Sequence, residues 1–299
     1  MRYGLPYKGS KNGIAEWIVS ELPSSEVFVD LFFGGGAITH RAMLTGKYKQ
    51  FIVNDIDARL PKLFLECAYG KHTVENHSEW ITREVFNAKK AEDAYIALVW
   101  SFGNNGKDYL YGADIEEMKH AYHKAVYFGD LDALKPYGYV LSRSDKKAVY
   151  DRYLDYQRQI KKQTPQTQLE VVTRQTEIER LQSLQSLQSL QSDFSKVEIL
   201  PDSVIYCDIP YHETEQYKEG KGDNFDYERF YSWCEKQTEP LFISEYWMPE
   251  DRFSCIAEIK KTVTLQGGAG NKAVEKLFIP KHQHYDKWQD TLFEGIEID

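Results

Sequence analysis

The sequence predicts an α/β protein: an open, doubly wound, largely parallel sheet interrupted by a mainly helical insertion. Short, nearly continuous apolar runs recur at VFVDLFF (27–33), FIVND (51–55), VIYCD (204–208) and LFISEY (241–246), the composition of strands buried on both faces. The first two flank a Gly-Gly-Gly turn and a helical stretch, which is the order of a βαβ unit. Between about residues 60 and 190 no such run is evident, and helical stretches rich in Lys, Tyr and Ala alternate with polar turns.

Each element follows from local pattern. Ile14, Ile18 and Leu22 are four apart, with Ala15 and Trp17 beside them, and Pro23 stops the helix they predict. After the first strand, GGGAITHRAMLTG enters a helix that ends near Gly46. Inside the insertion, LQSLQSLQSLQS at 181–192 repeats every three residues. On a helix Leu181, Leu184, Leu187 and Leu190 form a drifting stripe, because three residues turn only about 300°. A one-sided helix packing those leucines on the body is expected, with slippage in a tolerant loop as the competing reading. The sheet resumes at VIYCD, and TVTLQGGAGNKAVEKLFI at 262–279 reads as a closing antiparallel hairpin. The expected organisation is a sheet domain from residues 1–59 and 193–299 around an inserted region, 60–192.

Composition excludes several classes. No apolar stretch approaches the roughly 20 residues needed to cross a bilayer. Cys67, Cys207, Cys234 and Cys255 lack CxxC spacing, so neither a zinc cluster nor a disulfide framework is expected, and a reducing cytoplasm fits. MRYGLPYKGSKNG carries positive charge with no apolar run after it, so no secretion signal is expected. His282 and His284 have no cysteine or carboxylate at ligand spacing and read as surface residues. The net charge of −9 speaks against a polyanionic partner. Its distribution does not: residues 143–180 hold nine Lys or Arg against six acids, while residues 193–299 hold twelve against twenty-two. The basic segment, with Lys146, Lys147, Arg152, Arg158, Lys161 and Lys162, is either a solvated helix face or a surface for an anion.

Two constellations carry chemistry. Gly34-Gly35-Gly36 lies between a buried strand and a helix, where missing side chains let a ligand approach the backbone. Asp55 follows Gly34 by 21 residues, the separation at which an acid accepts from ribose hydroxyls. The glycines lack full G-x-G-x-x-G spacing, so a single-nucleoside cofactor fits better than a dinucleotide; an ordinary tight turn is the alternative. Asp208-Ile209-Pro210-Tyr211 ends a buried strand at the edge where open α/β sheets bind ligands. Pro210 helps end the strand and leaves the carbonyl before it free to face a ligand. Asp208 offers an acceptor for an amino group and Tyr211 a flat face, a grip for an aromatic base with an exocyclic amine. The alternative is a strand-end turn with Tyr211 in the core.

In this order the motifs resemble the DNA adenine-N6 methyltransferases of the Dam type, the D12 class with alpha motif order. The matching elements are PYKGSK (6–11), FVDLFFGGGAIT (28–39), ND (54–55) and DIPY (208–211), with FISEY (242–246) and the terminal hairpin matching more weakly. The resemblance implies a Rossmann-like methyltransferase sheet and S-adenosylmethionine as donor, with S-adenosylhomocysteine as product. It implies that Tyr7 and Lys11 border the methionine end of the cofactor and that Asp30, Phe32, Gly34 and Gly36 line it. Asp55 would hold the ribose and Ile56 would lie beside the adenine. The target base is then flipped from the duplex. Asp208 and the Ile209 carbonyl would accept its two N6 hydrogens while Tyr211 stacks on the ring, and no metal is implied.

The family usually reads Asp-Pro-Pro-Tyr, and Ile209 here replaces the first proline; the backbone carbonyl survives and some rigidity is lost. Target recognition is expected in 60–192. There Asn104, Asn105 and Lys107 would read base edges beside Tyr109 and Tyr111, or simply order a Gly-rich loop. Lys146, Lys147, Arg158 and Lys161 would meet phosphates. The expected partner is double-stranded DNA, for a monomeric cytoplasmic enzyme of bacterial or phage origin; a cognate restriction endonuclease is a partner the resemblance allows. The competing readings are N4-cytosine methylation, an RNA methyltransferase, and a catalytically weak DNA-binding relative. Intact Asp55, Asp208 and Tyr211 argue against decay.

Overall fold

The computed structural model describes residues 3–72, 78–138, 186–210, 225–263 and 271–284. The chain divides into two compact units, one formed by residues 11–61 with 180–299 and the other by residues 2–10 with 62–179. Among the described residues no helix is long and apolar enough to cross a membrane.

The first unit holds β1 (Val27–Asp30), β2 (Gln50–Asn54), β3 (Leu187–Leu190), β4 (Ser203–Cys207), β5 (Leu241–Glu245), β6 (Phe253–Val263) and β7 (Asn271–Pro280). They form one sheet in the order β3-β2-β1-β4-β5-β7-β6. The first five are parallel, and β7 runs antiparallel to both β5 and β6. Every residue of β1, β4 and β5 is buried, which is what apolar runs covered on both faces require. The sheet is Rossmann-like. The chain builds outward from β1 on one side, then returns to place β4 on the other, so β1 and β4 mark the switch point where a ligand crevice opens.

Alternation sends successive side chains of a strand to opposite faces. One face packs Val27, Val29, Ile205, Cys207, Leu241 and Ile243 against Phe230, Tyr231 and Cys234. Those last three belong to the helix Tyr227–Cys234, which Asp226 caps by accepting from the Arg229 N–H at 3.0 Å. On the other face the Phe28 ring meets Tyr48 at 4.9 Å and Phe51 at 6.1 Å. The helices Ala15–Glu21 and Ala37–Met43 form where the sequence places them.

The LQS repeat departs from expectation. Leu187–Leu190 is the edge strand β3, paired in parallel with Phe51–Asn54, and not a helix. Residues 181–185 lie outside the described residues. A three-residue repeat matches neither a period of 2 nor one of 3.6, so backbone pairing decides. The Ser186 carbonyl accepts from the Phe51 N–H at 3.1 Å, and the Leu190 carbonyl from the Asp55 N–H at 3.3 Å. Asn54 locks the exit of the strand: its amide donates to Leu31 O at 3.1 Å and Ser192 O at 3.0 Å, and its oxygen accepts from the Ser192 N–H at 3.0 Å.

In the second unit, Thr82 and Asp93 cap the helices Arg83–Lys89 and Ala94–Val99. Gly129, at φ +68°, ends the helix Glu116–Phe128. The Trp80 ring lies between Tyr111 (5.4 Å, 6°) and His120 (4.8 Å, 22°) and meets fully buried Trp100 edge-on at 5.1 Å. Stacked and edge-on rings thus make the core of this small helical unit.

Asn54→Ala removes three hydrogen bonds at a buried junction and leaves backbone groups unmatched. A loss of roughly 3 kcal/mol is expected, read as a lower urea midpoint at unchanged slope. A stability within about 0.5 kcal/mol of wild type, the range of ordinary surface substitutions, would mean that water replaces the amide without penalty.

Candidate active site

The first strand–helix turn is held by its own backbone and by Asp55. Gly34, at φ +51°, donates its N–H to Asp55 Oδ2 at 2.8 Å, and Asp55 Oδ1 accepts from the Asp57 N–H at 2.9 Å. Gly36 stands at φ +68°, and a Cβ there would lie 2.2 Å from the Phe33 ring, so no larger residue fits without displacing it. Phe32 packs its ring against Phe194, Phe225 and Phe230 at 5.7 to 5.8 Å. Ile56, just past Asp55, is 79% exposed, an apolar side chain facing outward beside the turn.

Asp30 ends β1 almost fully buried, its Oδ2 accepting from Thr39 Oγ1 at 2.7 Å. Burial pushes its carboxyl up from 3.8 to about 7; the Thr39 hydrogen bond opposes the rise, and the Asp208 and Asp55 charges add to it. Burial also raises Asp55, against the pull of the Asp57 and Gly34 N–H groups.

One strand over, Asp208 leaves β4 with its side chain a quarter exposed, and Lys11 Nζ donates to its Oδ1 at 2.6 Å. The Lys11 side chain is 2% exposed and also lies 3.5 Å from Glu275 Oε1 on β7. Glu275 is fully buried and accepts from Ser244 Oγ, on β5, at 2.9 Å. Burial alone would lower the Lys11 pKa; the Asp208 and Glu275 charges outweigh it and hold the ammonium above the usual lysine value. Tyr246, just past β5, feels the same cluster: burial first and then Glu275 raise its hydroxyl, with Lys11 opposing.

Ile209 follows Asp208 with 2% exposure, its side chain in the core beside the face of the sheet that packs Phe230. The Pro210 carbonyl accepts from the Tyr227 hydroxyl at 2.8 Å. The tetrapeptide is therefore held by core burial at its second position and by a hydrogen bond at its third. Tyr211 lies outside the described residues, as do Lys146, Lys147, Arg158 and Lys161.

The structure thus gathers Lys11 and Asp208 into one cluster at the carboxyl edge of the sheet, and Asp30, Gly34, Gly36 and Asp55 around the adjoining turn. Tyr7 belongs to the second unit, where it is 37% exposed. In that unit the polar groups expected to face a partner are largely engaged within the loop. The Asn104 amide donates to Leu98 O at 2.9 Å, and the Asn105 amide donates to Asp108 Oδ2 at 2.8 Å. Tyr109 is 7% exposed and its hydroxyl donates to Ile81 O at 2.6 Å. Lys107 is exposed. It borders a groove of about 610 Å³ that Arg83, Lys90 and Phe102 also line. Sequence reasoning missed Glu275, Ser244 and Tyr227: each lies in an ordinary strand or helix pattern, and only the pairing of β5 with β7 brings the first two to Lys11. Among the described residues no cluster of His, Cys, Asp and Glu could hold a metal ion.

The family model of the D12 class N6 adenine-specific DNA methyltransferases matches residues 7–232. No curated protein matches the chain.

Asp30 makes stability depend on pH. With a folded value near 7 and an ordinary value of 3.8, its carboxyl binds a proton more tightly in the folded state. Its ionisation therefore costs stability progressively as pH rises from about 4 to about 7. Asp30→Asn keeps the acceptor for Thr39 and removes that cost. Its melting temperature is expected to gain on wild type across this window and to hold a constant lead above it. A difference independent of pH would show that the buried carboxyl is not the source.

Proposed function

The chain belongs to the D12 class N6 adenine-specific DNA methyltransferases, and on that premise we propose that it methylates the N6 amino group of an adenine flipped out of duplex DNA, using S-adenosylmethionine. The observation that carries the reading is the presentation of Asp208 at the carboxyl edge of β4, one strand from a glycine turn that Asp55 fastens. When bound, the cofactor supplies a methyl group activated by a sulfonium leaving group. The residues present fit it. The cradle at Gly36 has no room for a Cβ, Asp55 retains lone pairs for ribose hydroxyls, and exposed Ile56 offers an apolar face for adenine. Asp30, Phe32 and Gly34 complete the turn.

Toward the substrate, Asp208 accepts one N6 hydrogen and the Ile209 carbonyl the other, which aims the nitrogen lone pair out of the amino plane. Tyr211 stacks on the ring. Lys11 bonds one Asp208 oxygen and orients the carboxylate, so we assign it to the base site and not to the methionine end. Rate then comes from positioning and from exclusion of water.

We propose that the residues between β2 and β3 carry target recognition. Exposed Lys107 and the groove it shares with Arg83, Lys90 and Phe102 offer cationic and aromatic contacts to a nucleic acid. Asn104, Asn105 and Tyr109 shape the loop that presents them. Lys146, Lys147, Arg158 and Lys161 add charge for phosphates.

Incubation with labelled cofactor and adenine-containing duplex DNA, followed by nucleoside mass spectrometry, should yield N6-methyladenine. Asp208→Ala should reduce transfer by about 100-fold or more at retained cofactor binding. Wild-type protein that binds the cofactor yet labels no adenine would defeat the reading; label on cytosine would redirect it. Neutralising Lys107, Lys146, Lys147, Arg158 and Lys161 together should weaken DNA binding and flatten its salt dependence by about 0.9 in slope for each phosphate that no longer meets a cation. An unaltered slope would place the footprint on other residues.

A further inference from the structure

Glu275 lies beyond the part of the chain matched by the family model, on the closing hairpin, and nothing in the chemistry above requires a carboxylate there. Yet it is fully buried, and a buried carboxylate without compensation is costly. Its surroundings supply that compensation in a directed way. Ser244 and Leu277 are paired across β5 and β7, and Glu275, two residues from Leu277, shares its face of the sheet. The Ser244 hydroxyl fixes Oε1 at 2.9 Å, and the same oxygen faces Lys11 Nζ at 3.5 Å. Lys11 in turn donates to Asp208 Oδ1 at 2.6 Å. A hydroxyl, a carboxylate, an ammonium and a second carboxylate therefore connect β5, β7, the N-terminal segment and the end of β4.

We infer that Glu275 is a positioning residue for Asp208. By sharing the Lys11 ammonium, it holds that group to one side, so that Lys11 engages Oδ1 while Oδ2 is aimed at the amino group of the base. An ammonium has three donors, and a carboxylate on the side away from Oδ2 draws them from the place of the N6 hydrogens. A second carboxylate, anchored by Ser244, fixes its direction. This rests on the assignment of Asp208 to the base site.

The arrangement predicts a signature that a packing role does not. Lys11 is faced by Asp208 at the end of β4, Glu275 on β7 and the Tyr246 hydroxyl beyond β5. Asp30 on β1 and Tyr206 on β4 lie near Asp208. Glu275→Gln preserves shape and an acceptor for Ser244 while removing one negative charge next to Lys11. The Lys11 ammonium should then give up its proton at a lower pH than in wild type, read from its side-chain ¹³Cε shift in cofactor-free protein. In the same variant kcat should fall about 100-fold, as for a misplaced reacting group, with KM for S-adenosylmethionine near wild type. Glu275→Asp, which keeps the charge but draws it back by one methylene, should give intermediate values of both.

Folded Glu275→Gln with wild-type Lys11 titration and wild-type kcat would overturn the inference. Should that variant fail to fold, Glu275→Asp decides: intermediate titration and kcat support it, and wild-type values of both overturn it. A wild-type enzyme that methylates no DNA would count against the methyltransferase reading itself, while the Lys11 titration would still report whether Glu275 governs the ammonium.

Discussion

An ammonium can be buried only if carboxylates come with it. Lys11 is 2% exposed at the carboxyl edge of the sheet, and its partners come from places far apart in the chain: Asp208 at the end of β4 and Glu275 on β7. A lone buried charge costs several kcal/mol, so the N-terminal segment, the central strand and the terminal hairpin become mutually dependent. The pair Lys11 and Asp208 is separated by 197 positions, across the whole inserted region. The ion pair makes closure of the sheet and assembly of the site one event. The Lys11 carbonyl also accepts from the Ile14 N–H at 2.9 Å, which sets the entry into the first helix.

Most of the sheet was legible because a doubly covered strand leaves a strong mark. VFVD, FIVN, SVIYC and LFISE each appear as strands close to where their apolar runs stand. The edge strand β3 was not legible, since Gln188 and Ser189 face solvent and its pairing is imposed by β2. In the site, Gly34, Gly36, Asp55 and Asp208 were readable from spacing, because turn geometry and a strand end demand particular residue types. Glu275 was not, because a hairpin acid ordinarily faces water and only the register of β5 against β7 turns this one inward. For Asn104 and Asn105 the sequence leaves base reading and loop ordering both open, and the structure shows their side chains bonded within the loop, the Asn104 amide to Leu98 O and the Asn105 oxygen to the Lys107 N–H.

Ile209 resolves the departure from the usual Asp-Pro-Pro-Tyr pattern. Proline restricts its backbone with a ring, whereas Ile209 reaches a related result by burying its side chain in the core at 2% exposure. Fully burying such a side chain contributes roughly 1.5–3 kcal/mol, which resists the movement that proline would have restricted covalently. The surplus of acid after residue 193 also gains meaning. Glu245 and Glu275 are both buried, so part of the negative charge counted in the sequence faces inward, Glu275 toward Lys11, and never confronts a polyanion directly.

The hydrogen bond from the Tyr227 hydroxyl to the Pro210 carbonyl joins positions 17 apart in sequence at 2.8 Å. It works as a clasp on a purse: whatever length of chain runs between, its mouth is already drawn shut by residues that answer to the core. Doubling the length of such a segment adds only about 0.6 kcal/mol of closure entropy. Length gained or lost between positions 211 and 225 therefore has little consequence for the placement of Asp208. The clasp ties the placement of Asp208 to the core and not to the length of the segment that follows Pro210.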